Sequence, residues 1–427
     1  MPPKPYLDRR RAAAAARWEL RDEVVVIGAG DLLGKPGRGD QKYPFHVHPE
    51  YFYLADRLRP GSVLAFDPAE GWTDFVPEVT EDERVWEGAV PADPGPGEAP
   101  HAELDGWLSA RSGRPLAVLG APPAGVEADE ELTERLRGLL SMVRRPKDDE
   151  ELARMRAAVR ATEAGYAALR PLIRPGVTER ALQVELEAAF FRAGADATAY
   201  GTIVGSGPNA AVLHFEPGAR ALRAGELLLI DAGAEVGGYV ADVSRTYPVD
   251  GRFTPEQQAL YDVVLAAEEA SIARCRAGTE VRDLHLAAAV DLTRGLVELG
   301  LLRGDPESLV EQEAHSLFFP HGIGHLVGLG VRDAAGGVPG RKPSEHPALK
   351  KLRTDLPLEP GMAITIEPGI YFIPALLDDP ARRERHRDQV DWDRVERLRD
   401  FGGIRIEDDV LVTAGDPEIL TAGIPKR

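Results

Sequence analysis

Apolar residues along this chain fall into short runs set between turns rich in Gly, Pro and acids, and that pattern alone divides it. EVVVIGAG (23–30), SVLAFDP (62–68) and RPLAVLG (114–120) are β-type runs and predict three strands. A helix precedes them, within MPPKPYLDRRRAAAAARWEL at the start of the chain, and another is expected over 128–143. VPADPGPGEAP (90–100) reads as a turn-rich connection. RRPKDDEE (144–151) is a break: Pro146 stops one helix, and the acids suit the first turn of the next. That next helix is expected over about 148–170, with an apolar stripe through Leu152, Met155 and Val159. A small α/β domain over 1–145, followed by a second domain over 146–427, is the organisation this predicts.

Beyond the break the pattern repeats. IRPGVTERALQVELEAAFFRAG (173–194) is faintly echoed by CRAGTEVRDLHLAAAVDLTRG (275–295). LRAGELLLIDAG (222–233) matches LEPGMAITIEPG (358–369), and GGYVADVSRTYPV (237–249) matches GGIRIEDDVLVT (402–413). Two similar halves, each with two acids on strands, suggest a pseudo-twofold domain with a site between the halves.

Those acids are the chemistry of the chain. Asp231, Asp242, Glu367 and Glu407 sit inside apolar or β-patterned runs, where an isolated ionised carboxylate is costly. One could be an ion-pair partner; four in two matching pairs are better explained by a shared cation. His321 and His325 stand four apart in FFPHGIGHLVG, and His214 lies just ahead of the first acid pair. Singly, each histidine reads as a hydrogen-bonded core or turn residue; beside the acids, a metal site is the better reading. Four carboxylates and an imidazole suit Mn²⁺ or Co²⁺, with Zn²⁺ or Fe²⁺ as alternatives. Two divalent ions would balance four carboxylates and suit hydrolysis at a polarised carbonyl.

Composition narrows the field. Among 427 residues, 51 Lys and Arg stand against 70 Asp and Glu, a net charge of −19. That disfavours a nucleic-acid partner or an anionic membrane surface. No run of 18 apolar residues suggests a membrane span, and no signal peptide is evident at the start, so a cytoplasmic protein is expected. The lone Cys275 excludes an internal disulfide and a thiolate-rich zinc site. Gly28, Gly30 and Gly34 give GxGxxxG rather than the dinucleotide spacing, and read as a loop. Ser244 and Thr246 have no neighbouring histidine base, so a serine-type triad is a poor rival.

LLLIDAGAEVGGYVADVSRTYPVDGRFTPEQ, FFPHGIGHLVGLG, LEPGMAITIEPGIYFI and FGGIRIEDDVLVT resemble the Xaa-Pro peptidases of the pita-bread metallopeptidases, that is, prolidase and aminopeptidase P. The resemblance implies an α/β N-terminal domain and an α+β catalytic domain of the creatinase/aminopeptidase pita-bread type. It implies five ligands for two divalent ions, Mn²⁺ first, with Co²⁺ or Zn²⁺ as alternatives. Asp231 would hold one ion, His325 and Glu367 the other, and Asp242 and Glu407 would bridge them. Glu367 would also take a proton from the attacking water. His214 would act near the substrate, His321 would line the pocket after the scissile bond, and Arg405 would orient the acids. Where the family reads HxxGLDVHD, this chain reads HLVGLGVRD, so Gly330 replaces an aspartate and Arg332 a histidine. Arg332 could offer a fixed charge to the oxyanion or to a substrate carboxylate, but it cannot serve as a neutral base.

KKLRTDLPLEPG (350–361) is closest to the prolidase type, where Arg353 would bind a dipeptide carboxylate. The segment 371–403 is also prolidase-like in length and character. The expected activity is therefore hydrolysis of the Xaa-Pro bond in dipeptides, with Xaa-Pro aminopeptidase activity on longer proline-containing peptides as the alternative. A methionine aminopeptidase, a creatinase or a silent binding protein on this scaffold fits less well, since all five ligands and a first domain are present. A homodimer is implied, with His46, His48 and Tyr51 as candidate lining residues.

Overall fold

In the computed structural model, strands form where the chain carries unbroken apolar runs. The structure describes residues 4–91, 94–338, 340–342 and 344–427. β1 (Val24–Gly28) and β2 (Val63–Asp67) are buried at every position, as befits central strands covered on both faces. β3 (Gly71–Val76), β4 (Glu98–Pro100) and β5 (Leu116–Gly120) complete a five-stranded sheet ordered β4-β3-β2-β1-β5. β1 is antiparallel to β2 and parallel to β5. Val26, Val63, Ala65, Phe75, Leu104 and Val118 form a core on it.

Two strands depart from the sequence expectation. β3 is only partly buried, and its Gly, Thr and Asp interrupt the apolar signal. β4 lies in the stretch expected to be all turn, where it extends the sheet edge beside β3; residues 92 and 93 of that stretch lie outside the described residues.

The glycines after β1 have a packing cause. A Cβ on Gly28 would meet the Ala121 carbonyl oxygen at 1.9 Å, and one on Gly120 would meet the Gly28 oxygen at 2.3 Å. Gly34 is bridged to Lys42, and the next helix starts only at Pro49–Ala55. The βα turn of a dinucleotide site is not formed. Tyr51, expected as a lining residue, is fully buried and donates to Asp74 Oδ1 at 2.9 Å. His48 caps helix Pro49–Ala55, its Nδ1 accepting from Glu50 N.

The chain folds as two compact units, Met1–Arg144 and Arg145–Arg427. The second opens with helix Asp149–Leu169, held by a capping box in which Asp148 and Glu151 satisfy each other's backbone N–H. Helix Glu179–Arg192 pairs with it, and further along helices Pro255–Arg274 and Val281–Glu298 pair in turn.

Each helix pair is followed by a strand hairpin. After β6 (Ala197–Thr198) and β7 (Ile203–Ser206) come β8 (Leu227–Asp231), β9 (Ala234–Val236), β10 (Tyr239–Val240) and β11 (Ser244–Pro248). β8 lies between β7 and β11, antiparallel to both, with Ser244 opposite Asp231. In the second half come β12 (Gly336–Gly337), β13 (Thr354–Asp355), β14 (Ala363–Ile366), β15 (Gly369–Tyr371), β16 (Gly403–Arg405), β17 (Asp408–Leu411) and β18 (Glu418–Ile419). β14 pairs with β17, and β15 with β16. A bridge between Ser244 and Glu407 joins the halves where the acids lie. Among the described residues no helix is long and apolar enough to cross a membrane.

Candidate metal centre

The strands deliver the acids by alternation. Leu228 and Ile230 belong to one core, while Leu229 packs with Tyr371 in another. Asp231, two residues beyond Leu229, emerges on the Tyr371 side. Asp242 lies just ahead of β11, Glu367 between β14 and β15, and Glu407 between β16 and β17. His325 is carried by a loop pinned at its far end. There the buried Asp333 carboxylate takes Lys147 Nζ at 2.8 Å and the Leu329 N–H at 3.0 Å. Gly330 holds φ 85°, a turn that an aspartate would strain.

The ten residues assigned to metal or substrate from the sequence all line one cleft of roughly 780 Å³: His214, Asp231, Asp242, His321, His325, Arg332, Arg353, Glu367, Arg405 and Glu407. One ligand atom each from Asp242, His325 and Glu407 lies within 4.8 Å of the others. His325 Nε2 is 3.5 Å from Asp242 Oδ2 and 3.9 Å from Glu367 Oε1. Its Nδ1 donates to the Leu326 carbonyl at 3.2 Å, which leaves the Nε2 lone pair for the acids' side of the ring. Arg332 and Arg353 are exposed at the cleft's rim.

Three residues not assigned to the site from the sequence organise this cluster. Tyr200 brings its hydroxyl within 2.6 Å of Asp231 Oδ1 and 2.5 Å of Asp242 Oδ1. Ser244 donates to Glu407 Oε2 at 2.7 Å and accepts from Arg405 Nε at 2.7 Å. Tyr371 accepts from Arg405 Nη1 at 3.0 Å and meets His321 Nε2 at 2.9 Å. His321 Nδ1 donates to the Gly322 carbonyl, so its Nε2 accepts the Tyr371 proton and the ring is neutral. Arg405 Nη2 reaches Asp231 Oδ2 at 2.6 Å. The single arginine thereby holds Asp231 directly and Glu407 through Ser244.

Electrostatics calls for positive charge among these acids. Burial, then the charges of Asp231 and Asp409, push the Asp242 carboxyl well above the usual range. Burial, Asp242 and Glu367 do the same to Glu407. Glu367 is pushed up to about 7, burial being the main cause and Arg405 opposing it. A phenol has one proton, so Tyr200 can donate to only one of its two carboxyls; the other contact requires a proton on a carboxyl, as the raised Asp242 supplies. Burial holds His325 down to about 4 and His321 to about 3, so both rings are neutral at pH 7. Neutral imidazole and oxygen donors that cannot all ionise without a cation fit divalent metal. Cys275, by contrast, is buried, its thiol pushed up to about 12 and donating to the Ser271 carbonyl. It is no nucleophile.

Comparison with known proteins agrees with this geometry. Residues 153–414 match metallopeptidase family M24, and residues 6–98 match the aminopeptidase P N-terminal domain. The chain is 38% identical, over a 450-residue alignment, to the Xaa-Pro aminopeptidase of Escherichia coli (strain K12), covering 98% of this chain and 95% of that one. It is 35% identical over 442 residues to the Xaa-Pro dipeptidase of Xanthomonas campestris pv. campestris (strain 8004), covering 97% and 96%. The structure of Pseudomonas aeruginosa aminopeptidase PepP superposes with a TM-score of 0.80 at 30% identity, covering 100% of this chain and 96% of that one.

Proposed function

This chain belongs to metallopeptidase family M24, and on that premise we propose that it is an Xaa-Pro aminopeptidase, releasing the residue ahead of proline from peptides longer than two residues. The observation that carries the reading is the single cleft in which buried carboxylates and the free His325 lone pair converge. The dipeptidase was expected first from KKLRTDLPLEPG. Two points support the aminopeptidase instead. Residues 6–98 match an aminopeptidase P domain. A cleft of roughly 780 Å³ is also more than a dipeptide fills. Arg353, at the rim of the cleft, is what favours the dipeptidase as second reading.

In this proposal His325 and Glu367 would hold one ion, Asp231 the other, and Asp242 and Glu407 would be shared. Divalent ions bound there, Mn²⁺ first, would polarise the scissile carbonyl and make water a nucleophile at neutral pH. Glu367, 3.9 Å from His325 Nε2 in the acid cluster, would accept the proton of the attacking water. The proline nitrogen carries no hydrogen and leaves only when protonated, so a proton must be returned on that side. His214, which lines the cleft, is the candidate for that transfer; both nitrogens of His321 are already hydrogen-bonded, so His321 shapes the pocket instead. Arg332 supplies fixed positive charge at the rim and does not exchange protons.

The test uses Ala-Pro-Ala and Ala-Pro with added Mn²⁺. Cleavage of the tripeptide with little or none of the dipeptide is expected; the reverse assigns a dipeptidase, and Arg353→Ala should then raise KM for it.

Arg405→Lys is expected to weaken metal binding about 10–100-fold, because a lysine cannot hold Asp231 and Ser244 together. Calorimetric titration of Mn²⁺ into the variant checks this, and unchanged affinity counts against the positioning role.

With the metal removed, the buried acids should make a pH-dependent contribution to stability. The folded chain holds a proton on Glu367 up to about pH 7, while the unfolded chain releases it near 4.5. Between those values the folded state binds more protons, so stability falls as pH rises; Asp242 and Glu407 act in the same sense. His285, His315, His321 and His325, held at about 3–4 against 6.5 unfolded, act in the opposite sense, so the Glu367 contribution is read against Glu367→Gln, which keeps the histidines and cannot titrate at that position. In EDTA the urea midpoint of the parent minus that of Glu367→Gln should decline from pH 5 to 7, and a flat difference would contradict the charge assignment.

A further inference from the structure

We propose that a second cavity beside the catalytic cleft receives the part of a longer peptide that follows the residue after proline, and that it favours acidic residues there; this rests on the aminopeptidase reading. The cavity measures about 1140 Å³ and shares Leu213, Pro320, His321 and Lys351 with the catalytic cleft. A peptide passing His321 on its way from the acid cluster therefore comes directly to it. A dipeptide has no atoms to place there, and a pentapeptide does.

The wall is cationic on a chain that is otherwise strongly acidic. Lys350, Lys351, Arg382 and Arg385 line it against Glu313 and Asp379. Both acids are engaged: Glu313 Oε2 lies 2.8 Å from Arg385 Nη1, and Asp379 accepts from the Arg382 N–H at 2.9 Å as a helix cap. Among the described residues Lys351 and Arg382 have no ion-pair partner, so they are the charges available to a ligand. Carboxylates on the peptide complement them.

The test compares Ala-Pro-Ala, Ala-Pro-Ala-Ala-Ala and Ala-Pro-Ala-Glu-Glu as substrates of the Mn²⁺-loaded enzyme. At low salt kcat/KM should be about fivefold higher for the acidic pentapeptide than for the alanine one, through KM, and the gain should fade in 1 M salt. Arg382→Glu should reverse the preference. Lys351→Glu, at an exposed position, is the second variant and should do the same. Equal kcat/KM for the two pentapeptides, or a preference that neither variant moves, overturns the proposal while tripeptide cleavage leaves the aminopeptidase reading standing. Cleavage of Ala-Pro with none of the three longer peptides overturns both.

Discussion

Glu367→Gln should lower kcat on the order of 10³-fold at saturating Mn²⁺, within the 10²–10⁴ range of a lost acid–base group. The amide keeps the shape of the side chain, and the backbone around it is fixed, with Glu367 N–H donating to the Ile323 carbonyl. What it loses is proton affinity. A carboxylate can take up and release a proton; an amide does not titrate at all. It also loses one anionic donor beside His325. The two losses separate by metal titration: activity that Mn²⁺ restores belongs to holding the ion, and the deficit that survives saturation belongs to proton transfer. A variant within tenfold of the parent at saturation would remove Glu367 from the proton-accepting role.

The separation matters because the sequence announces the donors better than their duties. Acids inside LLLIDAG and AITIEPG are conspicuous because strands covered on both faces read as unbroken apolar runs, so a carboxylate stands out there. The same physics hides β3, which is only partly buried and whose Gly, Thr and buried Asp74 break the apolar signal. It also hides Tyr200, Ser244 and Tyr371, which are ordinary residues in a sequence. Their importance comes from folding: Ser244 meets Glu407 across 163 positions, and Arg405 meets Asp231 across 174. Tyr51 departs the other way: the resemblance of segment 43–56 makes it a candidate lining residue, but its hydroxyl is taken up by Asp74 inside the first unit's core. Substrate length was illegible for a related reason, since it depends on the room around Arg353 and His321.

The largest effect on stability should come from Arg245→Met, behind the acid cluster rather than in it. Arg245 is fully buried and makes five hydrogen bonds among the described residues. Its Nη2 reaches Asp408 Oδ1 at 2.7 Å, its Nη1 the Glu407 carbonyl at 2.6 Å, and Nε and Nη2 both reach the Ile424 carbonyl. Burial alone would raise Asp408, but Arg245 and then Lys426 hold it down to about 2. Methionine fills much of the space and leaves Asp408 with Lys426, 2.8 Å from its Oδ2, as its one cation among the described residues, beside the Thr421 hydroxyl on Oδ1 at 2.6 Å. Breaking a buried pair by removing one partner costs about 3–5 kcal/mol, and that is the expected loss from urea unfolding of the metal-loaded protein. Lys426→Met should cost less, its side chain being 22% exposed. If the loss arises from stranded charge, Asp408→Asn in the Arg245→Met background should recover part of it, whereas a pure packing defect would be additive. The same arginine steadies the backbone of Glu407, so Arg245→Met should weaken Mn²⁺ binding as well. Full affinity in a destabilised variant would confine Arg245 to the fold and leave the placing of Glu407 to Ser244 and Arg405.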